Sequence, residues 1–129
     1  MDLSIRTETF GQEDQSWLGS AHGTDSARSI TLDMTTFTAG THYPDGYLMS
    51  GLPLGKITAS GKYGLYDDAA SDGRQACAGL LFTVVRAPAS TSTPVSGAML
   101  VHCIVVDANL PIAVDAAGKA DVAGRIIFV

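Results

Sequence analysis

Three aspartates within six positions, with an arginine close behind, are the nearest thing to a chemical signature in this chain. They are Asp67, Asp68 and Asp72, followed by Arg74, in the stretch YGLYDDAASDGRQACAGLL. Carboxylates at this spacing could ligate Mg²⁺ or Ca²⁺, because hard cations need several oxygens at one point. The segment lies between two predicted strands, however, and it lacks the closing glutamate of an EF-hand loop. We therefore interpret the cluster as a connection that turns at Asp72-Gly73.

Other patterns that would support catalysis or metal binding do not occur in the sequence. The histidines His22, His42 and His102 fall in three separate segments, and the neighbouring His102 and Cys103 point to opposite faces of their predicted strand. The chain has neither the Gly-x-Ser-x-Gly motif of a hydrolase nor a phosphate-binding loop. We predict no catalytic residue, no metal, no cofactor and no small-molecule substrate.

Length and charge restrict the possible partners. A chain of 129 residues is sufficient for one domain with its own core. The net charge is −5 and the 8 basic residues are scattered, which argues against nucleic acid as a partner. The apolar runs are far shorter than the about 18 residues of a membrane span, so no membrane partner is expected. Cys77 and Cys103 lie in apolar runs and are expected as reduced thiols in the core.

The elements that must position these residues are mainly β-strands. Glycines recur every few residues and β-branched residues fill the gaps, which disfavours helix. Only VDAAGKADVAG, residues 114–124, could form a short helix. The predicted strand segments are ITLDMTTF, the short pieces within YLMSGLPLGKITASGKYGLYD, CAGLLFTVVRA, AMLVHCIVVDANLP and RIIFV. Residues 30–129 are therefore predicted to form one β body.

Residues 1–29 differ from this body and are predicted to form an N-terminal arm. They are rich in polar residues and have few aliphatic side chains to bury. The segment LSIRTETF alternates, with Leu3 and Ile5 on one face, which is the pattern of a strand without a partner. Trp17 stands alone in this polar region. It either folds back onto its own domain or fills a pocket in a partner.

The body resembles the head decoration proteins of bacteriophages, the lambda protein D family of capsid cement proteins. The resemblance covers about residues 30–129 and depends on the order of glycines, turns and strands. Its pieces are Gly46-Tyr47, Ser50-Gly51, Leu54-Gly55-Lys56-Ile57, Lys62-Tyr63-Gly64, Tyr66-Asp67, Asp72-Gly73, Ala78-Gly79-Leu80-Leu81, AMLVHCIVVDANLP and AGRIIFV.

The resemblance implies a β-clip or β-tulip-like fold, a homotrimer and no catalysis. It also implies binding at threefold and quasi-threefold sites on the outside of the mature head, in the virion, after assembly in the host cytoplasm. The family's arm is flexible in the free protein and adds a strand to the major capsid protein, which matches the unpaired alternating segment. The expected capsid-binding residues are Leu3, Ile5, Thr7, Thr9, Phe10 and Trp17, with Leu3 and Ile5 on the buried face.

Two other functions are compatible with a body of this kind. Trimeric deoxyuridine nucleotide hydrolases share a β-clip-like body, and Asp67, Asp68 and Asp72 would then hold Mg²⁺. A phage surface module that binds a glycan or receptor would expose several aromatic side chains, and only 7% of this chain is aromatic.

Overall fold

A computed structural model describes Leu3 and residues 13–129 of the chain. The described residues form nine strands, β1 (Arg28–Leu32), β2 (Tyr47–Leu48), β3 (Pro53–Lys56), β4 (Tyr63–Leu65), β5 (Cys77–Leu81), β6 (Val85–Arg86), β7 (Val95–Leu100), β8 (Cys103–Val105) and β9 (Ile126–Phe128). They also form two short α-helices, α1 (Ala39–His42) and α2 (Ala116–Asp121), and three single 3-10 turns at Thr24–Ser26, Met34–Thr36 and Asp107–Asn109. Neither α-helix in this part of the chain is long and apolar enough to cross a membrane.

Five of the strands close into a barrel in the order β1-β4-β3-β5-β7. Strands β1 and β7 pair antiparallel over five residue pairs, from Arg28 opposite Met99 to Leu32 opposite Val95. The β1–β4 contact is parallel and involves a single pair, Leu32 and Tyr63. Two smaller sheets flank the barrel, an antiparallel pair of β2 and β6 and a parallel pair of β8 and β9.

The core consists of two clusters that lie on opposite faces of β5 and β7. Successive side chains of a strand point to opposite faces, so Leu80 and Leu81 of β5 belong to different clusters. The barrel cluster contains Ile30, Leu32, Met34, Phe37, Leu48, Leu52, Leu54, Leu81 and Met99. The flanking cluster, which reaches the β8–β9 sheet and α2, contains Trp17, Tyr66, Cys77, Leu80, Leu100, Cys103, Val105, Val114, Val122 and Ile126.

The predicted fold class, a mainly β single domain with little helix, is confirmed. Helix α2 lies inside the segment 114–124 that the sequence allowed for a helix. The strand predicted through Phe37 instead ends at Leu32, because Asp33 starts a 3-10 turn. The Asp33 carboxylate accepts hydrogen bonds from the backbone N–H and the hydroxyl of Thr35, at 3.1 and 2.6 Å. The apolar run AMLVHCIVVDANLP is two strands rather than one, since the chain bends at residues 101–102 so that β8 can pair with β9.

The first residues of β1 come from the segment that the sequence assigned to the arm. Arg28 and Ser29 pair with Met99 and Ala98 of β7, so the predicted boundary between residues 29 and 30 falls inside a barrel strand. The polar composition of residues 1–29 concealed this pairing, because Arg28 and Ser29 are exposed and show no apolar periodicity.

Candidate functional site

The aspartate loop connects β4 to β5, as the sequence predicted, and two of its carboxylates take part in local turns. Asp67 accepts a hydrogen bond from the Ala69 N–H at 3.0 Å. Asp72 forms an ion pair with Arg74, at 2.9 Å between Oδ2 and Nε, and hydrogen bonds from Arg74 hold the pKa of Asp72 below its usual range. No group of three or more His, Cys, Asp or Glu side chains within residues 13–129 is placed to hold a metal ion.

A depression of about 390 Å³ lies beside this loop and has an acidic lining that includes Asp67, Asp68 and Asp115. The Asp115 carboxylate caps α2 by accepting the Gly118 N–H at 2.7 Å, and it accepts the Tyr66 hydroxyl at the same distance. Both hydrogen bonds lower the pKa of Asp115, and the bond from the Gly118 N–H has the larger effect. The carboxylate therefore joins α2 to the barrel through Tyr66.

Two of the histidines come together, which the sequence did not predict. The rings of His22 and His102 lie edge to face with their centroids 6.3 Å apart. His42 is buried elsewhere, where its Nδ1 accepts the Thr38 N–H at 2.7 Å and its ring packs edge-on against Phe37.

Residues 13–19, which we call the arm root, are fixed to the body at their start by two long-range hydrogen bonds. The Glu13 carboxylate accepts the Val84 N–H at 2.9 Å. The Gln15 side-chain amide donates to the Phe82 carbonyl oxygen at 2.9 Å. Both bonds reach the segment between β5 and β6, so they fix the start of the arm root to this part of the body.

Trp17 anchors the centre of the arm root in the flanking cluster. Its side chain is fully buried, and the indole Nε1 donates to the Ser50 hydroxyl at 3.1 Å. Ser50 in turn donates to the Phe82 carbonyl oxygen at 2.5 Å. Gly51, which has a φ of +93°, makes room for the indole, because a Cβ at that position would lie 2.9 Å from Nε1. Of the two interpretations that the sequence left open for Trp17, the structure shows the one in which it packs on its own domain.

Backbone pairing continues the arm root along the edge of β8. Leu18 forms an antiparallel bridge with Val105. The Val106 N–H donates to the Trp17 carbonyl oxygen at 2.6 Å, and the Gly19 N–H donates to the Ile104 carbonyl oxygen at 2.8 Å. The arm root therefore extends the β8–β9 sheet on the side of β8 that faces away from β9.

A cleft of about 130 Å³ lies between the arm root and the loop that leads into β2. Its lining combines apolar side chains with two carboxylates and consists of Asp14, Pro44, Asp45, Tyr47, Met49, Ser50, Val84, Asn109 and Pro111. Asp14 accepts the Ser16 N–H at 3.0 Å, and hydrogen bonds from Ser16 lower the pKa of Asp14. Asn109 donates to the Ser16 carbonyl oxygen at 3.0 Å and fixes the same turn from the other side.

Comparison with known proteins identifies the family. A family model described as bacteriophage lambda head decoration protein D matches residues 12–125. The chain belongs to this family. It is therefore a bacteriophage head decoration protein, a structural protein that associates with the phage capsid. No curated protein matches the chain at a significant level.

Of the six residues predicted to bind the capsid, the structure describes two, Leu3 and Trp17. Ile5, Thr7, Thr9 and Phe10 lie outside the described residues. Leu3 is 83% exposed. Trp17 has no exposed surface, so in this structure its indole supports the arm root from within the core and presents nothing to a partner.

Sequence reasoning did not identify the polar residues that hold the arm root of the decoration protein. Glu13 and Gln15 are bonded to residues 71 and 67 positions away. No local pattern marks such pairs, because a glutamate and a glutamine in a polar segment are ordinary. The family match begins at residue 12 and therefore includes the arm root with the body.

Proposed function

We propose that this decoration protein binds as a homotrimer at threefold and quasi-threefold sites on the outer surface of the mature head, where residues 1–12 add a strand to the major capsid protein. The observation that carries the proposal is the arm root. A segment with the alternation of a strand, Leu3 to Phe10, directly precedes residues that are fixed to the body at Glu13, Gln15 and Trp17.

Strand addition suits this arrangement because its affinity comes from main-chain hydrogen bonds and its register from alternate side chains. Leu3 and Ile5 supply one apolar face over the length that a short strand covers. A strand that starts from a fixed root also needs less ordering than one at the end of a long linker, which lowers the entropic cost of binding.

Stabilisation of the shell follows from linkage. A ligand that binds only the expanded lattice lowers the free energy of that state, by about 2.7 kcal/mol per site at a hundredfold excess over Kd. In a trimer, pairing of one arm places the other two at high effective concentration near their sites. Selectivity for the mature head arises because only expansion brings the three sites to the spacing of the three arms.

The described surface supports this function over a glycan-binding one. Trp17, Tyr66 and Phe37 are buried, and every other aromatic side chain in residues 13–129 is at least partly covered. The aspartates of the loop support a structural role without catalysis, because Asp67 serves a turn and Asp72 is paired with Arg74.

Deletion of residues 1–12 tests the proposal. The deletion ends before Glu13 and leaves the Trp17 anchor in place, so we expect a folded protein that no longer sediments with expanded heads assembled from the major capsid protein of the same phage. Wild-type occupancy of the heads by the truncated protein would contradict the role of the arm.

A matched pair of point variants tests the face of the strand. Ile5→Asp puts a charge on the predicted buried face and Ser4→Asp puts the same charge on the opposite face. We expect the first to weaken binding to heads by at least tenfold and the second to leave binding nearly unchanged. Equal loss in both variants would refute strand addition with this register. Sedimentation equilibrium of the free protein tests the trimer separately.

A further inference from the structure

The cleft beside the arm root has the dimensions and lining of a site for one side chain. Its volume of about 130 Å³ is well below the roughly 300–1,000 Å³ of sites that hold small molecules. Tyr47, Met49 and Val84 provide apolar walls, and all three side chains are partly exposed. A nucleotide or a sugar chain would not fit, whereas a single long side chain would.

The charges at the cleft select the type of side chain. The carboxylates of Asp14 and Asp45 both line it, and both residues are exposed. Among the described residues that line the cleft, none is basic. Lysine and arginine have an aliphatic stem that packs on apolar walls and a cationic head that stays near water and carboxylates.

We propose that this cleft receives one lysine or arginine side chain of the major capsid protein, as a second contact beside the strand formed by the arm. The inference rests on the proposed function. The partner follows from position, because Val84 bonds to Glu13 at the start of the arm root and lines the cleft together with Asp14, so a capsid subunit paired with the residues just before Glu13 would lie beside the cleft. The net charge of −5 on the chain favours a basic partner surface in the same way.

A charge-neutralising pair of substitutions tests the cleft. Asp14→Asn combined with Asp45→Asn removes both charges and keeps a side-chain oxygen that can accept the Ser16 N–H. The matched control is Asp25→Asn combined with Asp68→Asn, which changes the net charge equally at exposed positions outside the cleft. The probe is an expanded head assembled from the major capsid protein alone, and the measurement is the protein concentration that half-saturates it.

We expect the cleft variant to need about 2- to 30-fold more protein for half-saturation, as two surface ion pairs predict. We also expect its binding to depend less steeply on salt than that of the control, since the contact is electrostatic. Equal half-saturation and equal salt dependence in the two variants would overturn the inference while leaving the proposed function intact. A wild-type protein that does not bind heads would overturn both.

A thermal melt of each free variant identifies a different occupant. If Arg6 of the same chain occupied the cleft, the cleft variant would be less stable than the control in the absence of heads, and its binding to heads would match the control. That combination would also overturn the inference.

Discussion

Replacement of Trp17 by alanine should destabilise the free protein as strongly as any single substitution in the barrel. The indole is fully buried in the flanking cluster, and its Nε1 donates to Ser50. Truncation of a buried tryptophan to alanine costs about 3–5 kcal/mol. Since domains of this size are stable by about 5–15 kcal/mol, the variant would lose a large share of its stability, although Trp17 lies in a segment whose composition is that of a linker.

Two further substitutions separate packing from hydrogen bonding at this position. Trp17→Phe keeps an aromatic ring and removes the donor, so we expect a loss of about 1–3 kcal/mol from the bond and the smaller ring. Ser50→Ala leaves the buried indole N–H without its acceptor, which costs about 1–3 kcal/mol. If the bond forms in solution, the double variant should be less destabilised than the sum of the two by about 1 kcal/mol.

Urea unfolding followed by far-ultraviolet circular dichroism measures these changes without using the fluorescence of the single tryptophan. Ile127→Ala is the control, because this side chain is 55% exposed and its truncation should change the free energy of unfolding by less than about 0.5 kcal/mol. The indole would be outside the core, and available to a partner, if the free energy of unfolding of Trp17→Ala were within about 1 kcal/mol of the wild-type value. That margin is roughly twice the effect expected of a surface substitution. The emission of the wild type should accordingly be blue-shifted before heads are added and change little afterwards.

Three other predictions concern a close backbone approach, a buried histidine and the two thiols. Gly23→Ala should lower the melting temperature far more than Gly124→Ala. Both glycines have positive φ, so the backbone strain is shared by the two variants. A Cβ at Gly23 would lie 1.9 Å from the His102 carbonyl oxygen, whereas a Cβ at Gly124 meets nothing within 4 Å. Burial lowers the pKa of His42 from 6.5, so on acidification the unfolded chain takes up the proton first and the protein loses stability as the pH drops below about 6.5. Urea titrations between pH 7 and 5 should show a smaller loss of stability in His42→Asn than in the wild type. Burial raises the pKa of the thiols of Cys77 and Cys103 to about 11, and neither should react with an aromatic disulfide reagent at pH 8 until denaturant is added; rapid reaction of the native protein would contradict their burial.

Features with local causes were predictable from the sequence. In the turn at Asp72-Gly73, the Asp72 carboxylate accepts the N–H of Arg74, two residues later. Gly73 has the positive φ of 115° that such a turn requires. Helix α2 lies within the one segment that tolerates helix, where Asp115 provides its N-cap and Gly124 follows its end. Such signals are contained in a few adjacent residues, so the fold class could be derived from them.

Features that depend on distant pairing were not predictable. The division of one apolar run into β7 and β8 leaves no mark on its hydrophobicity, since Leu100 at the end of β7 and Cys103 at the start of β8 are buried in the same flanking cluster. The burial of Trp17 depends on Ser50 and Val106, which are remote in sequence. The cleft combines residues from Asp14 to Pro111, and no spacing within a single segment indicates it.

Pairing of the arm root with the edge of β8 determines how the body would carry a force if residues 1–12 attach it to the capsid as proposed. A force applied at Glu13 acts directly on the Glu13 and Gln15 hydrogen bonds and then on the buried Trp17 side chain. Under that mode of attachment, strain in the capsid lattice would reach the flanking cluster, in which Trp17 is buried. The arm root would then separate from the body only when the flanking cluster opens, so its resistance to force would be that of the fold itself.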